Sequence, residues 1–340
     1  MTPGHHIAPS SPGVPGPIRY LKRKEIDTAR WDRCVALAPN GWLYARSFFL
    51  DGVGRWDALV AGDYDYIMPL PKRRKYGLAY TYIPVFTGQL GIIGIRPVSP
   101  ELTEQFIYAV PASFRIADLL MNELNPSYSP AGIPSPSPAG IPGFSPAGIL
   151  VTRRTNYILS LRDEYAILCE RYSADAKKNL RRTSALHLSP CTDIPMDTII
   201  RLYRSAYGDK HPQVSAKAYD RMAEVGRRCI SEGMGFTLGI NDPGGALLAA
   251  AFFGMDDKRI YYILGAPTPQ GRQSNAVHSL IDEVIRKYAG TGLVFDFEGS
   301  DIPSVAAFYR KFSPQVAYYD HVILNRLPQW IQRLPSFFRR

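Results

Sequence analysis

Apolar residues along this chain follow two periods, and the switches between them mark its elements. Spacing of three to four residues predicts helix, and alternation predicts strand. A short apolar start at Ile18, Tyr20 and Leu21 precedes a predicted helix over 27–37, with Trp31, Cys34 and Val35 on one face. Pro39, Asn40 and Gly41 end it by turn chemistry. A second short helix fits 45–52. Strands over 56–60 and 66–70 flank the turn 61–64 and read as a hairpin. Pro69 and Pro71 close the second strand, leaving Lys72, Arg73, Arg74 and Lys75 at the tip of a connection. A strand over 79–85 leads into the glycine-containing segment 86–91. The stretches 100–108 and 111–122 mix helical and extended character, and the pattern does not place them.

The second half alternates more regularly. A strand over 153–161 is followed by a predicted helix over 163–184, on which Leu168, Tyr172, Ala176 and Leu180 form one stripe. Helices over 196–207 and 216–232 come next. Strands over 235–240 and 246–255 flank the turn Asn241-Asp242-Pro243-Gly244-Gly245. From Arg259 to Leu324 the order is strand, loop, helix, strand, helix, strand. The aromatic and β-branched run 259–264 enters a Gly/Pro/Gln loop over 265–274, a helix starts near Asn275, a strand covers 293–297, and a short helix carries 306–312. The helix after the loop is amphipathic through Val277, Leu280, Ile281, Val284, Ile285 and Tyr288, and its His278 reads as a packing or surface histidine.

Two domains are expected in 340 residues. The boundaries read as a disordered lead-in over 1–17, a first domain over 18–128, a loop over 129–150, a second domain over 151–326 and a basic aromatic tail over 327–340. The loop is a low-complexity repeat: Ser129-Pro130-Ala131-Gly132-Ile133-Pro134 recurs at 137–142 and, less its last residue, at 145–149. Proline removes donors and glycine costs entropy, which predicts a surface loop rather than a helix or central strand. A partner-binding proline segment is the alternative.

Composition narrows the class. A hydrophobic fraction of 46% and a charged fraction of 21% are those of a globular chain. The net charge of +10 suggests a polyanionic partner: RNA, a phospholipid surface or a phosphate-bearing cofactor. It lies mainly in the second half, because through Leu150 there are 14 basic and 11 acidic residues, leaving 26 and 19 beyond. Cys34, Cys169, Cys191 and Cys229 are far apart, so no zinc or redox motif is supported and no metal is expected. Isolated cysteines, a polar start and the lack of a bilayer-length apolar run predict a cytoplasmic protein, with peripheral contact at the inner membrane left open.

A glycine-containing loop between a strand and a helix N-terminus can hold phosphate. Gly271 would admit close backbone approach, Ser274 or Asn275 would cap the helix, and Arg272 would pair with a phosphate. An ordinary capped loop is the alternative. Lys177, Lys178, Arg181 and Arg182 span little more than one helical turn and form a phosphate or polyanion candidate, against a merely solvated face. Lys72–Lys75 carries the same ambiguity. Asp296 and Glu298 share a strand face and are candidate proton acceptors, against a structural role.

These features resemble the FemAB-type branch of the GCN5-related N-acetyltransferase (GNAT) superfamily. The resemblance is carried by Arg154-Thr155-Asn156-Tyr157-Ile158-Leu159 with the basic helix end 177–182, by Phe295-Asp296-Phe297-Glu298-Gly299, and by Ala307-Phe308-Tyr309-Arg310-Lys311-Phe312. In the first half, 68–71 and 84–91 look like the first domain of bacterial relatives. The resemblance implies an α/β (α+β) fold of tandem GNAT-like domains, each a mixed, mostly antiparallel sheet flanked by helices. It implies an acyl- or aminoacyltransferase acting on an amine of a small molecule or cell-wall precursor. The donor would be acyl-CoA, such as acetyl-CoA, or aminoacyl-tRNA. The donor would sit along Leu264, Gly265, Gly271, Arg272, Gln273, Ser274, Asn275 and Ala276, with the acyl carbonyl near the backbone of Ile263–Gly265. Tyr309 would protonate the leaving group. The loop departs from the GNAT pattern: with Ala276 last, Ser274 stands where glycine is expected and Gly271 where Arg or Gln is expected. A non-catalytic basic protein with this fold, binding RNA or an anionic membrane, is the rival expectation.

Overall fold

A computed structural model describes residues 16–128, 148–299 and 301–327. The lead-in, the tail and most of the repeat loop lie outside the described residues. The elements run β1 (Arg19–Lys22), α1 (Thr28–Leu37), α2 (Ser47–Val53), β2 (Trp56–Ala61), β3 (Tyr66–Lys75), β4 (Leu78–Thr81), β5 (Ile93–Gly94), α3 (Pro100–Ala109) and β6 (Phe114–Leu120) in the first half. The second half runs β7 (Ile149–Ser160), α4 (Tyr165–Glu170), α5 (Ala174–Ala185), β8 (Ser189–Thr192), α6 (Met196–Tyr207), α7 (Ala216–Ser231), β9 (Gly235–Asn241), β10 (Leu247–Met255), β11 (Arg259–Pro267), α8 (Pro269–Gln273), α9 (Ala276–Tyr288), β12 (Val294–Asp296), α10 (Pro303–Arg310) and β13 (Gln315–Asn325).

One continuous sheet joins the halves, in the order β1-β2-β3-β4-β6-β13-β7-β12-β11-β10-β9-β8, with β5 paired to β3. All pairs are antiparallel except β4–β6 and β11–β12. The last strand, β13, sits between β6 and β7 and pairs with both. The chain end therefore ties the two halves together.

Local chemistry explains the elements. Asp27 caps α1 by accepting from the N–H groups of Ala29 and Arg30. The predicted helix over 163–184 is two helices. Ser173 breaks it: its hydroxyl accepts from Ala176 N, and its own N–H donates to Lys311 O. The apolar stripe survives the break, with Leu168, Tyr172 and Ala176 buried. The prolines of β3 do not close it, and the basic run is part of the strand. Pro69 and Pro71 lie opposite Ala58 and Trp56 of β2, between the residues that pair with β5 and those that pair with β4. There β3 has one free edge, so a missing donor costs no ladder bond. The repeat loop also ends earlier than expected, since β7 begins at Ile149.

Three apolar clusters hold the layers. The largest spans both halves. Trp31, Phe49 and Trp56 from the first pack with Val225, Phe252 and Tyr261 from the second. Gly52 lets α2 approach α7 closely, because a Cβ there would lie 2.3 Å from the Val225 side chain. The second cluster places α4, α5, α9 and α10 on the other face of β7 and β9–β12. The third places α3 on β2, β3, β6 and β13. Strand β10 is buried on both faces: Ala250 and Phe252 point into the shared cluster, Ala249, Ala251 and Phe253 into the second. Among the described residues no helix is long and apolar enough to cross a membrane.

Because the largest cluster is shared, the halves should unfold together. Phe49→Ala should cost about 3–5 kcal/mol. Urea melts read by tryptophan fluorescence and by far-UV circular dichroism should stay coincident, and two separated transitions would contradict a shared core.

Candidate functional site

Strands β11 and β12 lie side by side for three residues and then part. Arg259, Ile260 and Tyr261 pair with Val294, Phe295 and Asp296. Beyond them β11 stays paired to β10 as far as Pro267 but loses its neighbour on the other edge. The cause is local to β12. Glu298 and Gly299 both have positive φ, +63° and +46°, which turns the chain out of the sheet. A Cβ at Gly299 would lie 2.5 Å from Thr155 O, so only glycine fits the second position. Glu298 thereby sits at the mouth of a wedge between two parallel strands.

A buried polar network fixes that carboxylate. Arg259 donates to Asp296 Oδ2 and to Glu123 Oε1, each at 2.5 Å, and all three side chains are almost fully buried. Its guanidinium also lies 4.0 Å from the Trp42 ring centroid. Asn156 Nδ2 donates to Glu123 Oε2 and Asp296 Oδ2. Gln89 braces Glu123 from both sides. The turn Asn122–Asn125 presents Glu123 inward, with Leu124 N donating to Asn122 Oδ1. Glu298 N donates to Asp296 Oδ1 at 2.8 Å, and the Tyr44 hydroxyl donates to Glu298 Oε1 at 2.5 Å. The segment over 86–91 closes the far side: a Cβ at Gly88 would lie 2.5 Å from Glu298 Oε2.

One cation faces three carboxyl groups, and their acidities divide accordingly. Burial raises the Glu123 carboxyl, but the Arg259 guanidinium outweighs it and holds Glu123 below its usual value. Burial and then the neighbouring Glu123 push Asp296 up despite Arg259. Burial, and next the charge of Asp296, push Glu298 well above the ordinary carboxylate range. Tyr309 is held above the ordinary phenol value by burial first and Glu298 second, so its hydroxyl stays protonated at neutral pH. The Tyr309 ring lies 5.0 Å from Phe297 and 6.4 Å from Tyr262, centroid to centroid. The Glu298 carboxyl and the Tyr309 phenol are thus near enough for one charge to act on the other.

The structure distributes the other predicted site residues less favourably. Gly271 is buried against β10, where a Cβ would lie 1.8 Å from Leu248 O. That packing, rather than approach to a ligand, requires glycine. The predicted loop is partly helix, and its donors are engaged internally: Thr268 N bonds Leu248 O, Gly271 N bonds the Thr268 hydroxyl, and Arg272 N bonds Thr268 O. Neither Ser274 nor Asn275 caps α9. The Ser274 hydroxyl donates back to the Gln270 and Gly271 carbonyls, and Asn275 is left-handed with no side-chain cap. Thr268 caps α8 instead. Arg272 and Gln273 are exposed, and Arg272 hydrogen-bonds Tyr207. Leu264 and Ala276 are core residues. Tyr262 folds back over Gly265, whose Cβ would meet its hydroxyl at 2.1 Å. His278 is buried, contacts Asn179, and is pushed down to about 4 by burial first and Lys311 second, so it is neutral at pH 7.

The basic helix end lies on a different surface. Lys178, Arg181 and Arg182 are exposed, and Lys177 donates to Glu170 O. Lys177 and Arg181 line a cavity of about 480 Å³ that also contains Asp282 and Glu283. A cavity of about 970 Å³ beside Asp193, Asp197 and Arg227 includes none of the predicted site residues. Among the described residues no group of three or more His, Cys, Asp or Glu side chains is placed to hold a metal ion.

Sequence reasoning missed Arg259, Glu123, Asn156, Tyr44 and Gly88. A faint signal existed for Arg259, a charged residue at the head of an otherwise apolar strand. None existed for Glu123, which is 136 residues from its partner.

No protein-family model matches this sequence, and no curated protein matches it. Solved structures do. FemX superposes with a TM-score of 0.63 at 12% identity, covering 94% of this chain and 100% of that one. A conserved protein of unknown function from Bacteroides thetaiotaomicron gives 0.54 at 10% identity, covering 88% and 97%. The C-terminal domain of a protein assigned as a lysylphosphatidylglycerol synthetase, from Agrobacterium fabrum, gives 0.50 at 12% identity, covering 88% and 92%. At these identities the likeness is one of fold. That fold, shared with FemX, is of the FemAB-like kind expected from the sequence.

Two outcomes follow from the site. Glu298 is favoured in its neutral form, so its contribution to stability is present at low pH and lost as pH rises through its raised value. Glu298→Gln should therefore gain stability over the parent as melts move from pH 5 to pH 9, and a constant difference would contradict the raised pKa. Gly271→Val should lower the melting temperature, a cost of about 1–3 kcal/mol from overpacking, with no ligand present.

Proposed function

We propose that this chain, with its FemAB-like fold, is a transferase that moves an acyl or aminoacyl group onto an amine. The observation that carries the reading is the Glu298 carboxyl. It is half-buried beside Asp296, held by Tyr44, and stationed where β11 and β12 part. A carboxylate with raised basicity accepts a proton from an attacking amine near neutral pH. The amine nitrogen bonds to the acyl carbon and its proton passes to Glu298. The bond to the leaving sulfur of a thioester, or to the leaving oxygen of a tRNA ester, breaks, and the Tyr309 hydroxyl supplies the proton that group needs. Backbone N–H groups on the free edge of β11 polarise the acyl carbonyl. Acyl-CoA or aminoacyl-tRNA serves as donor, and a small-molecule or cell-wall-precursor amine as acceptor.

One observation favours a second reading. In the loop that would hold a donor's phosphates, the N–H groups of Thr268, Gly271 and Arg272 are already bonded, and Tyr262 covers Gly265. A protein that kept the fold and binds RNA or an anionic membrane through exposed Lys178, Arg181 and Arg182 fits those facts.

Calorimetric titration with acetyl-CoA, longer acyl-CoAs and a charged tRNA pool separates the two, followed by transfer assays on a panel of amines. In the first reading Glu298→Gln and Tyr309→Phe each lower turnover by about 10²–10⁴ without loss of folding. Activity of the parent should rise with pH through an apparent value well above the ordinary carboxylate range, and Glu298→Gln should abolish that limb. Binding of tRNA alone, weakening steeply with salt and indifferent to Tyr309, would establish the second reading.

A further inference from the structure

The first half repeats the plan of the second. In β10, β11, α9 and β12 an antiparallel pair is followed by a helix and a parallel return; β3, β4, α3 and β6 do the same. The parallel contact is again short. Ala79 pairs with Phe114 and Tyr80 with Ile116, with a register shift between them. At Thr81 the side chain takes over: Asp118 N donates to Thr81 Oγ1 at 2.8 Å, and that hydroxyl donates to Asp118 O at 3.3 Å. Tyr82 then turns away and donates its N–H to Pro71 O.

A cavity of about 370 Å³ opens at this second parting of strands. Its floor is one face of the sheet. Tyr80 stands opposite Arg73 on β3, and Ile323 of β13 stands opposite Asp118 of β6. The other face of these strands, with Phe114, Ala117, Leu119 and Leu324, is packed under α3. The floor is thus aromatic and apolar, and Arg73, Lys75 and Arg115 line its rim. All three cations are exposed, and none meets a carboxylate among the described residues. Asp118, the acidic residue of the lining, is already bonded to His321 at 2.6 Å. The Arg73 guanidinium lies flat against Tyr82, 4.0 Å from the ring centroid, which limits its freedom before any ligand arrives.

We infer that this cavity is a second ligand site, for a small organic anion that sets a phosphate or carboxylate head among Arg73, Lys75 and Arg115 and an apolar or aromatic body on Tyr80, Ile116 and Ile323. Three cations that meet no carboxylate among the described residues line one concavity, and an oxyanion there would accept charge-assisted hydrogen bonds from them. The aromatic floor supplies the apolar contact that distinguishes an organic anion from a free one. The site does not depend on the transferase reading, because it shares no residue with the Glu298 wedge.

The test is calorimetric titration of the full chain with phenyl phosphate, benzoate and inorganic phosphate. Saturable binding of phenyl phosphate or benzoate is expected, at least tenfold tighter than inorganic phosphate; the better of the two identifies the head group. Arg73→Gln and Arg115→Gln should each weaken it at least tenfold. Tyr80→Ala should erase the preference over inorganic phosphate. Lys178→Gln should leave this binding unchanged. All these residues lie on the surface or a cavity wall, and unchanged melting temperatures would show that the variants fold. No saturable binding of either organic anion, or binding indifferent to Arg73 and Arg115, would overturn the proposal.

Discussion

The structure depends most on Arg259, a cation almost fully removed from water between two carboxylates. Each partner comes from a different half: Glu123 from the first, Asp296 from the second. Removing one member of such a cluster leaves an uncompensated buried charge, typically at a cost of about 3–5 kcal/mol. The cluster therefore sets the docking of the halves as firmly as the apolar core does. Asn156, Gln89 and the Trp42 face complete its surroundings, and Arg259 Nε and Trp42 Nε1 are buried without a partner among the described residues.

The same charge count creates the candidate chemistry. Arg259 answers Glu123 and Asp296, and among the described residues no second buried cation answers Glu298. Burial first, and the charge of Asp296 next, hold its carboxyl above the ordinary carboxylate range. Tyr44 and Gly88 reach Glu298 from the first half, so the site is complete only when both halves are docked. The sheet enforces this by running β13 between β6 and β7.

The loop over 265–276 marks the contrast. Glycine and polar residues there suggested an anion cradle, yet Gly271 answers to the Leu248 carbonyl and Thr268 takes the loop's donors. A glycine's reason is steric, and its steric neighbour is a strand 23 residues earlier in the chain. The basic run at Lys72–Lys75 shows the converse. Read as a loop tip, it is a strand segment, and its alternation puts Arg73 beside Tyr80 and Lys75 beside Leu78.

The sequence by itself determined the local elements. Helices α1, α6 and α7, the hairpin of β9 and β10, and the order from β11 to β13 follow from apolar period, caps and turn residues, all interactions within a few positions. It also supplied Asp296 and Glu298 as candidates from their two-residue spacing, and Tyr309 through the family resemblance. Only the tertiary structure decided that a single sheet would join the halves, that Ser173 would break a helix, and that Glu123 and Tyr44 would meet Arg259 and Glu298. Tyr44 and Glu298 are 254 residues apart. Their meeting is set by packing and by the shortage of buried positive charge, which are properties of the assembled core and not of any stretch of chain.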